Sequence, residues 1–139
     1  MNTAKKIDVY PVKPRILLIE DELMVQKIHR ILLEQIGYEV DTASNGAEAL
    51  QKLSKKSKYS LIFADVGLPD ISGIQIIKAI RENEKNGEHV PIIVLTAYQD
   101  DVIKAQCLDA GADCVRGKPI SEENLAEIIT QYDQASLLA

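Results

Sequence analysis

Five polar residues stand at or just beyond the ends of short stretches that read as strands, and their types suit one kind of chemistry. They are Glu20, Asp21, Asp65, Thr96 and Lys118. Three carboxylates brought within a few ångströms repel one another by about 1 to 4 kcal/mol per pair, so such a cluster needs a cation. Oxygen ligands that are open to water suit Mg²⁺. A carboxylate held ionised beside that cation can act as a nucleophile toward a phosphoryl group.

The stretch SLIFADVGLPD, residues 60–70, indicates that Asp65 is the phosphoryl acceptor. An apolar run that ends in Gly and Pro is typical of a strand buried on both faces, and this one delivers a carboxylate at its end. Lys118 and the Thr96 hydroxyl would contact the incoming phosphoryl oxygens. Gly67 can offer a main-chain carbonyl without a side chain in the way. We therefore predict a Mg²⁺ site at the carboxylates of Glu20, Asp21 and Asp65 and the carbonyl of Gly67.

Taken singly, the same residues have ordinary structural explanations. Glu20, Asp21 and Thr96 could each cap the helix that follows, and Lys118 could be a solvated charge. The functional interpretation depends on all of them meeting at one place, so it depends on the fold.

The elements that must position these residues alternate between strand and helix. Such alternation requires parallel pairing and right-handed crossovers, and predicts a flavodoxin-like, doubly wound (βα)₅ fold with a five-stranded parallel sheet in the order 2-1-3-4-5. Ligands bind such sheets beyond the carboxyl ends of the strands, where the strand order reverses. Strands are predicted at residues 15–19, 39–43, 59–64, 91–97 and 113–117, and helices at 22–37, 45–53, 74–83, 100–111 and 121–132.

Apolar residues at helical spacing support three of the helices. In the second helix they are expected on the inner face, and in the third they form an apolar stripe. They are Met24, Ile28, Ile31 and Leu32 in the first helix, Ala47, Leu50 and Leu53 in the second, and Ile74, Ile77 and Ile80 in the third.

Length and composition fit one soluble domain. The 139 residues are divided into a leader or linker at 1–14, a domain at 15–132 and a tail at 133–139. No apolar run approaches the ~20 residues that span a bilayer, and the amino terminus lacks a signal-peptide core, so we expect a cytoplasmic protein without membrane contact. A net charge of −5 argues against binding to nucleic acid.

Other residues with reactive or charged side chains receive structural interpretations. The basic residues at Lys55–Lys58 are expected in a solvated loop. Cys107 and Cys114 lack C-x-x-C spacing and are expected to be reduced packing residues. His29 and His89 have no spacing typical of metal ligands.

The motifs together resemble the receiver domain of two-component response regulators. They are ED after the first strand, DVGLPDISG after the third, TA after the fourth and KP after the fifth. The resemblance implies that Asp65 takes a phosphoryl group from a phosphohistidine on a histidine kinase or histidine phosphotransfer protein. It also implies that Glu20, Asp21 and the Gly67 carbonyl hold Mg²⁺. Thr96 would be the switch hydroxyl and Lys118 the counter-ion of the phosphate.

In such a family, phosphorylation biases a two-state equilibrium at the face of the fourth helix, fifth strand and fifth helix. The family's usual switch aromatic falls here on Val115, which argues for a readout through backbone and fourth-helix movement. Tyr98 could partly cover the acyl phosphate or be a plain surface residue. We expect a signalling switch without turnover on an external substrate, and so not an enzyme.

Two other functions compete with the receiver interpretation, and a receiver can either stand alone or form part of a longer chain. Mg²⁺-dependent phosphatases of the haloacid dehalogenase type need an acid two residues after the nucleophile, where this chain has Gly67. A module that acts only through protein contact would not need the complete acidic set. We expect either a stand-alone regulator or a receiver excised from a longer chain with a fused kinase, such as a hybrid histidine kinase, and the Pro-containing leader favours the second.

Overall fold

Five strands alternate with five helices in a computed structural model that describes residues 13–55, 59–97 and 100–133. Most of the predicted leader, Tyr98, residues 56–58 of the basic stretch, and the tail after Asp133 lie outside the described residues. The elements are β1 (Arg15–Ile19), α1 (Leu23–Ile36), β2 (Glu39–Ala43), α2 (Gly46–Ser54), β3 (Leu61–Asp65), α3 (Gly73–Asn83), β4 (Ile92–Thr96), α4 (Asp101–Ala110), β5 (Cys114–Gly117) and α5 (Glu122–Tyr132).

The strands form one parallel sheet in the order β2-β1-β3-β4-β5, which confirms the predicted fold. The register aligns the carboxyl ends of the strands. Ile19 pairs with Ala64, so the residue after β1 stands level with Asp65, and Thr96 pairs with Gly117. This edge of the sheet therefore carries the predicted site residues.

The core consists of two apolar layers, one on each face of the sheet, because successive side chains of a strand point to opposite faces. All residues of β3 and β4 are buried, which explains their unbroken apolar runs. One layer contains Leu17, Ile62 and Val94 with residues of α2, α3 and α4; the other contains Leu18, Phe63 and Ile93 with residues of α1 and α5.

Short polar contacts fix the ends of the helices. The Asn45 side chain accepts from the Glu48 amide at 2.8 Å and so caps α2. Ser72 and Gln75 form a reciprocal capping box at the start of α3. The buried Tyr38 hydroxyl donates to the carboxylate of Asp133, which ties the end of α5 to the start of β2.

The inner face predicted for the second helix is wrong, and the apolar residues that support the first helix lie mostly on its exposed side. In α1 the buried residues are His29 and Leu33, whereas Met24, Ile28 and Ile31 are exposed. In α2, Ala47 and Leu50 are exposed, and the helix is buried through Gly46 and Ala49, with Leu53 partly buried. Helical spacing finds an apolar stripe but does not say which side of the helix meets the sheet. The stripe of α3 is confirmed, since Ile77 and Ile80 are buried and Ile74 packs against the core.

Candidate functional site

Asp65 is the last residue of β3, and its carboxylate is buried at the carboxyl edge of the sheet. The Gly67 amide donates to Asp65 Oδ1 at 3.0 Å. The Lys118 ammonium donates to Asp65 Oδ2 at 3.0 Å. Each carboxylate oxygen therefore has a partner that favours the ionised form.

Glu20 follows β1 and is more deeply buried, with 1% of its surface exposed. Its carboxylate accepts from Lys118 Nζ at 2.9 and 3.2 Å and from the Glu22 amide at 3.1 Å. Gln26 of α1 donates to the Glu20 carbonyl at 2.9 Å. Lys118 thus bridges Glu20 and Asp65 across two strands.

Asp21 completes a group of three acids and is less buried than the other two. One carboxylate oxygen from each of Glu20, Asp21 and Asp65 can be chosen so that all lie within 4.8 Å of one another. Against three carboxylates, Lys118 supplies a single positive charge. An all-oxygen donor set with an excess of negative charge fits a divalent cation such as Mg²⁺.

The pKa values show how the pocket holds its charge. Burial raises the pKa of Glu20 to about 7, although the hydrogen bond from Lys118 acts in the opposite direction. Burial also disfavours the ionised form of Asp65, but the Gly67 amide and Lys118 outweigh it and hold the pKa of Asp65 below its usual value. Burial disfavours the charged form of Lys118, yet its bonds to both carboxylates raise its pKa. Asp65 is therefore ionised at neutral pH, and Glu20 is the carboxyl that can retain a proton.

Thr96 and Lys118 meet where β4 and β5 end. Thr96 is the buried last residue of β4, and its carbonyl accepts from the Lys118 amide at 2.9 Å. The Lys118–Pro119 peptide bond is cis. The structure therefore places all the predicted side chains, those of Glu20, Asp21, Asp65, Thr96 and Lys118, at one edge of the sheet, together with the backbone of Gly67.

Val115, at the position of the family's usual aromatic, is buried in the core layer beside α4. It pairs with Val94 of β4. No aromatic side chain stands at this position, as the sequence already indicated.

Sequence reasoning missed three residues near the site. Gln26 joins the Glu20 carbonyl to the Ser44 hydroxyl, with bonds of 2.9 and 3.2 Å. Asp70, which lies within the DVGLPDISG motif, binds the start of α2. His29, not expected to be a metal ligand, is buried, and neither of its ring nitrogens has a hydrogen-bond partner among the described residues; Lys118 is the charge that acts on it.

An exposed apolar surface lies beside the pocket because α1 begins directly after Glu20 and Asp21. We define the α1 apolar face as Leu23, Met24, Ile28 and Ile31. Met24 is 74% exposed and Ile28 is 51% exposed, although both are large and apolar. Contiguous apolar surface of this kind marks a site of protein contact more often than scattered single residues do.

The family follows from a match to the sequence model of the response regulator receiver domain, which covers residues 16–130. The chain belongs to this family. Receiver domains are the phosphoacceptor switches of two-component systems. The matched residues include nearly all of the fold described above.

Two relatives illustrate the range of proteins that carry a receiver domain like this one. The chain is 37% identical over 111 residues to the transcriptional regulatory protein CpxR homolog of Haemophilus influenzae, covering 80% of this chain and 46% of that protein. It is 37% identical over 124 residues to the hybrid signal transduction histidine kinase L of Dictyostelium discoideum, covering 85% of this chain and 7% of that protein. The chain thus spans less than half the length of either relative.

A solved structure supports the same family. The receiver domain of the sensor histidine kinase PA1611 from Pseudomonas aeruginosa matches with a TM-score of 0.78 and 30% identity, covering 87% of this chain and 98% of that one. That neighbour has a magnesium ion coordinated in its active site cleft.

Proposed function

We propose that this receiver domain is a phosphorylation-dependent switch of a two-component phosphorelay, in which Asp65 accepts a phosphoryl group from a phosphohistidine. The observation that carries the proposal is the state of Asp65. Its carboxylate is ionised and buried, bonded to Lys118, and clustered with two further acids that leave the pocket negatively charged.

The reaction needs one nucleophile and a set of charges around it. A carboxylate oxygen of Asp65 forms the new O–P bond while the P–N bond to the donor histidine breaks, and the imidazole nitrogen keeps the electron pair and takes up a proton. Lys118 opposes the negative charge on the phosphoryl oxygens, and the Thr96 hydroxyl hydrogen-bonds one of them. These roles need no general acid or base beyond the donor's own imidazole.

We infer that Mg²⁺ binds at Glu20, Asp21, Asp65 and the main-chain carbonyl of Gly67. When bound, it would supply the positive charge that the pocket lacks and a coordination position for a phosphoryl oxygen. The pocket's oxygen-only donor set and the magnesium ion in the PA1611 receiver support this assignment.

We propose a protein carrying a phosphohistidine as the donor, either a histidine kinase, separate or fused in a longer chain, or a histidine phosphotransfer protein. The α1 apolar face supports this choice, since α1 begins two residues after the metal-binding Asp21 and so offers a protein donor an apolar surface near Asp65. The hybrid kinases among the relatives support it as well. The two unpaired, buried thiols of Cys107 and Cys114 support a reducing, cytoplasmic setting.

The reporting surface is proposed to be the face of α4, β5 and α5. Val115 is a buried aliphatic residue, so no aromatic ring at this position can rotate in response to phosphorylation. Phosphorylation is therefore proposed to change this face through movement of the backbone and α4.

Intact mass spectrometry tests the acceptor. After incubation with acetyl phosphate and Mg²⁺, the wild type is expected to gain one phosphoryl group of ~80 Da, and Asp65→Asn or an EDTA-treated sample is expected to gain none. Phosphorylation of Asp65→Asn to the wild-type extent would refute the site. The acceptor proposal also fails if neither acetyl phosphate nor a panel of phosphorylated histidine phosphotransfer domains labels the wild type.

Substitution on α1 tests the protein donor. Ile28→Lys is expected to slow transfer from a phosphorylated histidine phosphotransfer domain by roughly 10-fold, as for loss of one central interface residue, and to leave the acetyl phosphate reaction unchanged. Val102→Lys changes an apolar residue on α4 that is more exposed than Ile28, and it should alter neither rate. Equal slowing by both variants would argue against docking on α1.

A further inference from the structure

The loop between β3 and α3, residues 66–72, is bonded to the first turn of α2 through one side chain. Asp70 Oδ1 accepts from the Gly46 amide at 2.7 Å, and Asp70 Oδ2 accepts from the Ala47 amide at 3.0 Å. The first amides of a helix have no partner within the helix, and the helix dipole favours a negative charge there. Asp70 therefore caps a helix that is 24 residues earlier in the chain.

The contact is close as well as polar. A Cβ added at Gly46 would lie 2.7 Å from the Cβ of Ile71 and 3.1 Å from Asp70 Oδ1. A larger residue at position 46 would push the loop away from α2, so Gly46 and Asp70 act together. We refer to this contact of Asp70 and Ile71 with Gly46 and Ala47 as the Asp70 clasp.

The two ends of the loop are fixed by other means. The Gly67 amide is bonded to the carboxylate of Asp65 at 3.0 Å, and the Gly73 amide is bonded to the Val66 carbonyl at 3.1 Å. A Cβ at Gly73 would overlap the carbonyl oxygen of Asp65, so the start of α3 also packs against the backbone of the acceptor. Between these ends Gly67, Pro69 and Asp70 are exposed, and the Asp70 clasp joins that part of the loop to the rest of the domain.

The ionisation of Asp70 suits this role. The amide bonds, first that of Gly46, hold the pKa of Asp70 below its usual value although the side chain is exposed. The carboxylate thus keeps its charge at neutral pH, and the clasp does not depend on a proton being taken up or lost near pH 7.

We propose that Asp70 is a positioning residue that holds the loop of residues 66–72 against α2 and so keeps the Gly67 carbonyl in place for Mg²⁺. The inference rests on the metal site of the proposed function. Groups that orient metal ligands commonly change metal affinity by about 10- to 100-fold when they are removed, even though they do not touch the ion. The effect is expected on Mg²⁺ binding and not on phosphorylation at saturating Mg²⁺.

The test compares two variants that each remove a cap from the same end of α2. Asp70→Ala removes the cap supplied by the loop, and Asn45→Ala removes the cap supplied by the helix's own first residue, which bonds the Glu48 amide. Each is expected to destabilise the helix by a similar amount. Only Asp70→Ala releases the loop.

Mg²⁺ titration of the ¹⁵N-labelled protein, followed at the Gly67 amide by NMR, supplies a readout other than activity. This probe is suitable because the chain has no Trp to report binding by fluorescence. Asp70→Ala is expected to raise the Mg²⁺ dissociation constant roughly 10-fold, while Asn45→Ala leaves it at the wild-type value. The acetyl phosphate rate at saturating Mg²⁺ is expected to match the wild type in both variants.

The other outcomes of the Mg²⁺ titration each show which part of the inference is wrong. Equal weakening in both variants would show that Asp70 acts only through the stability of α2, and no weakening in either would show that the loop does not need the clasp. Either result overturns the positioning role and leaves the proposed function standing. If the wild type itself binds no Mg²⁺, the metal site of the proposed function fails, and the role of Asp70 fails with it.

Discussion

The two edges of the sheet both hold partly buried charged groups, but the number of acids clustered around each cation differs. At the amino-terminal edge, Arg81 at the end of α3 donates to both oxygens of Glu84 at 3.0 and 2.9 Å and to Asp113 at 2.8 Å. It also donates to the carbonyls of Gly111 and Val90. The Asp113 carboxylate accepts in addition from the Ile92 amide.

At the carboxyl-terminal edge the same kinds of groups are left unbalanced. Lys118 bonds Glu20 and Asp65, Asp21 adds a third carboxylate to the cluster, and burial raises the pKa of Glu20 to about 7. His29, on which the Lys118 charge acts, is buried, and within residues 13–55, 59–97 and 100–133 neither ring nitrogen has a hydrogen-bond partner. A network that only stabilises the fold can satisfy all its groups, whereas a site for a cation and a phosphoryl group must keep charge uncompensated until they arrive. The charged groups at the amino-terminal edge therefore stabilise the fold, whereas those at the carboxyl-terminal edge suit a binding site.

Removing the centre of the paired network should give the largest effect on stability. Arg81→Met leaves Glu84 and Asp113 without their shared counter-ion in partly buried positions, where the Arg81 side chain is only 16% exposed. We expect the free energy of unfolding to fall by about 3 kcal/mol, as measured by urea denaturation. Arg30→Met removes an exposed arginine whose partner Glu34 is 3.9 Å away, and it should change stability by less than about 0.5 kcal/mol. Similar losses of unfolding free energy in the two variants would show that the Arg81 network stabilises the fold no more than an exposed ion pair does.

Neutralising an acid in the unbalanced pocket should act in the opposite direction. The carboxyl of Glu20 ionises near pH 4.5 in the unfolded chain and at about 7 in the folded protein, so its contribution to stability is lost as the pH rises through that window. At pH 8 without metal, Glu20→Gln is therefore expected to raise the free energy of unfolding by about 2 kcal/mol. The gain should disappear below pH 4.5, because both states then carry the proton.

Urea denaturation at pH 8 and pH 4, with and without Mg²⁺, checks this prediction. Mg²⁺ should stabilise the wild type at pH 8 and should stabilise Glu20→Gln much less. Glu34→Gln, a change at an exposed acid, serves as the control and should be close to neutral. A loss of stability in Glu20→Gln at pH 8 would mean that the bond to Lys118 outweighs the cost of burying the charge.

The sequence predicted one side of this comparison better than the other. The order of the strands and the position of the acids follow from local patterns, namely apolar runs that end in polar residues and the edge to which parallel strands direct them. The Asp70 clasp and the Arg81 network join residues 24 and 32 positions apart, and no local pattern marks such partners. The exposed face of α1 was missed for a related reason, since helical spacing finds an apolar stripe but does not reveal whether that stripe meets the sheet.

The smallest effect is expected at His29, the unpaired group on the site's side of the molecule. A buried polar side chain without hydrogen bonds is costly, so His29→Leu, an apolar residue of similar size, should raise the free energy of unfolding by about 1 kcal/mol at pH 7.5. The pKa of His29 is lowered from 6.5, first by burial and then by the Lys118 charge. Below pH 6.5 the unfolded chain therefore takes up a proton that the folded protein resists, and stability is lost as the pH falls.

The loss of stability at low pH provides a second readout, which a change in packing alone would not produce. The stability gained in His29→Leu should grow between pH 7.5 and pH 5.5, by up to about 1.4 kcal/mol per pH unit, because the variant has no imidazole to protonate. His89→Leu removes an exposed histidine that already has Asp113 as a partner, and it controls for the loss of a histidine as such. A constant gain at both pH values would show that His29 acts through packing alone. Destabilisation at pH 7.5 would show that the ring has a partner in solution, and the contrast between the two edges of the sheet would then rest on the three carboxylates and Lys118.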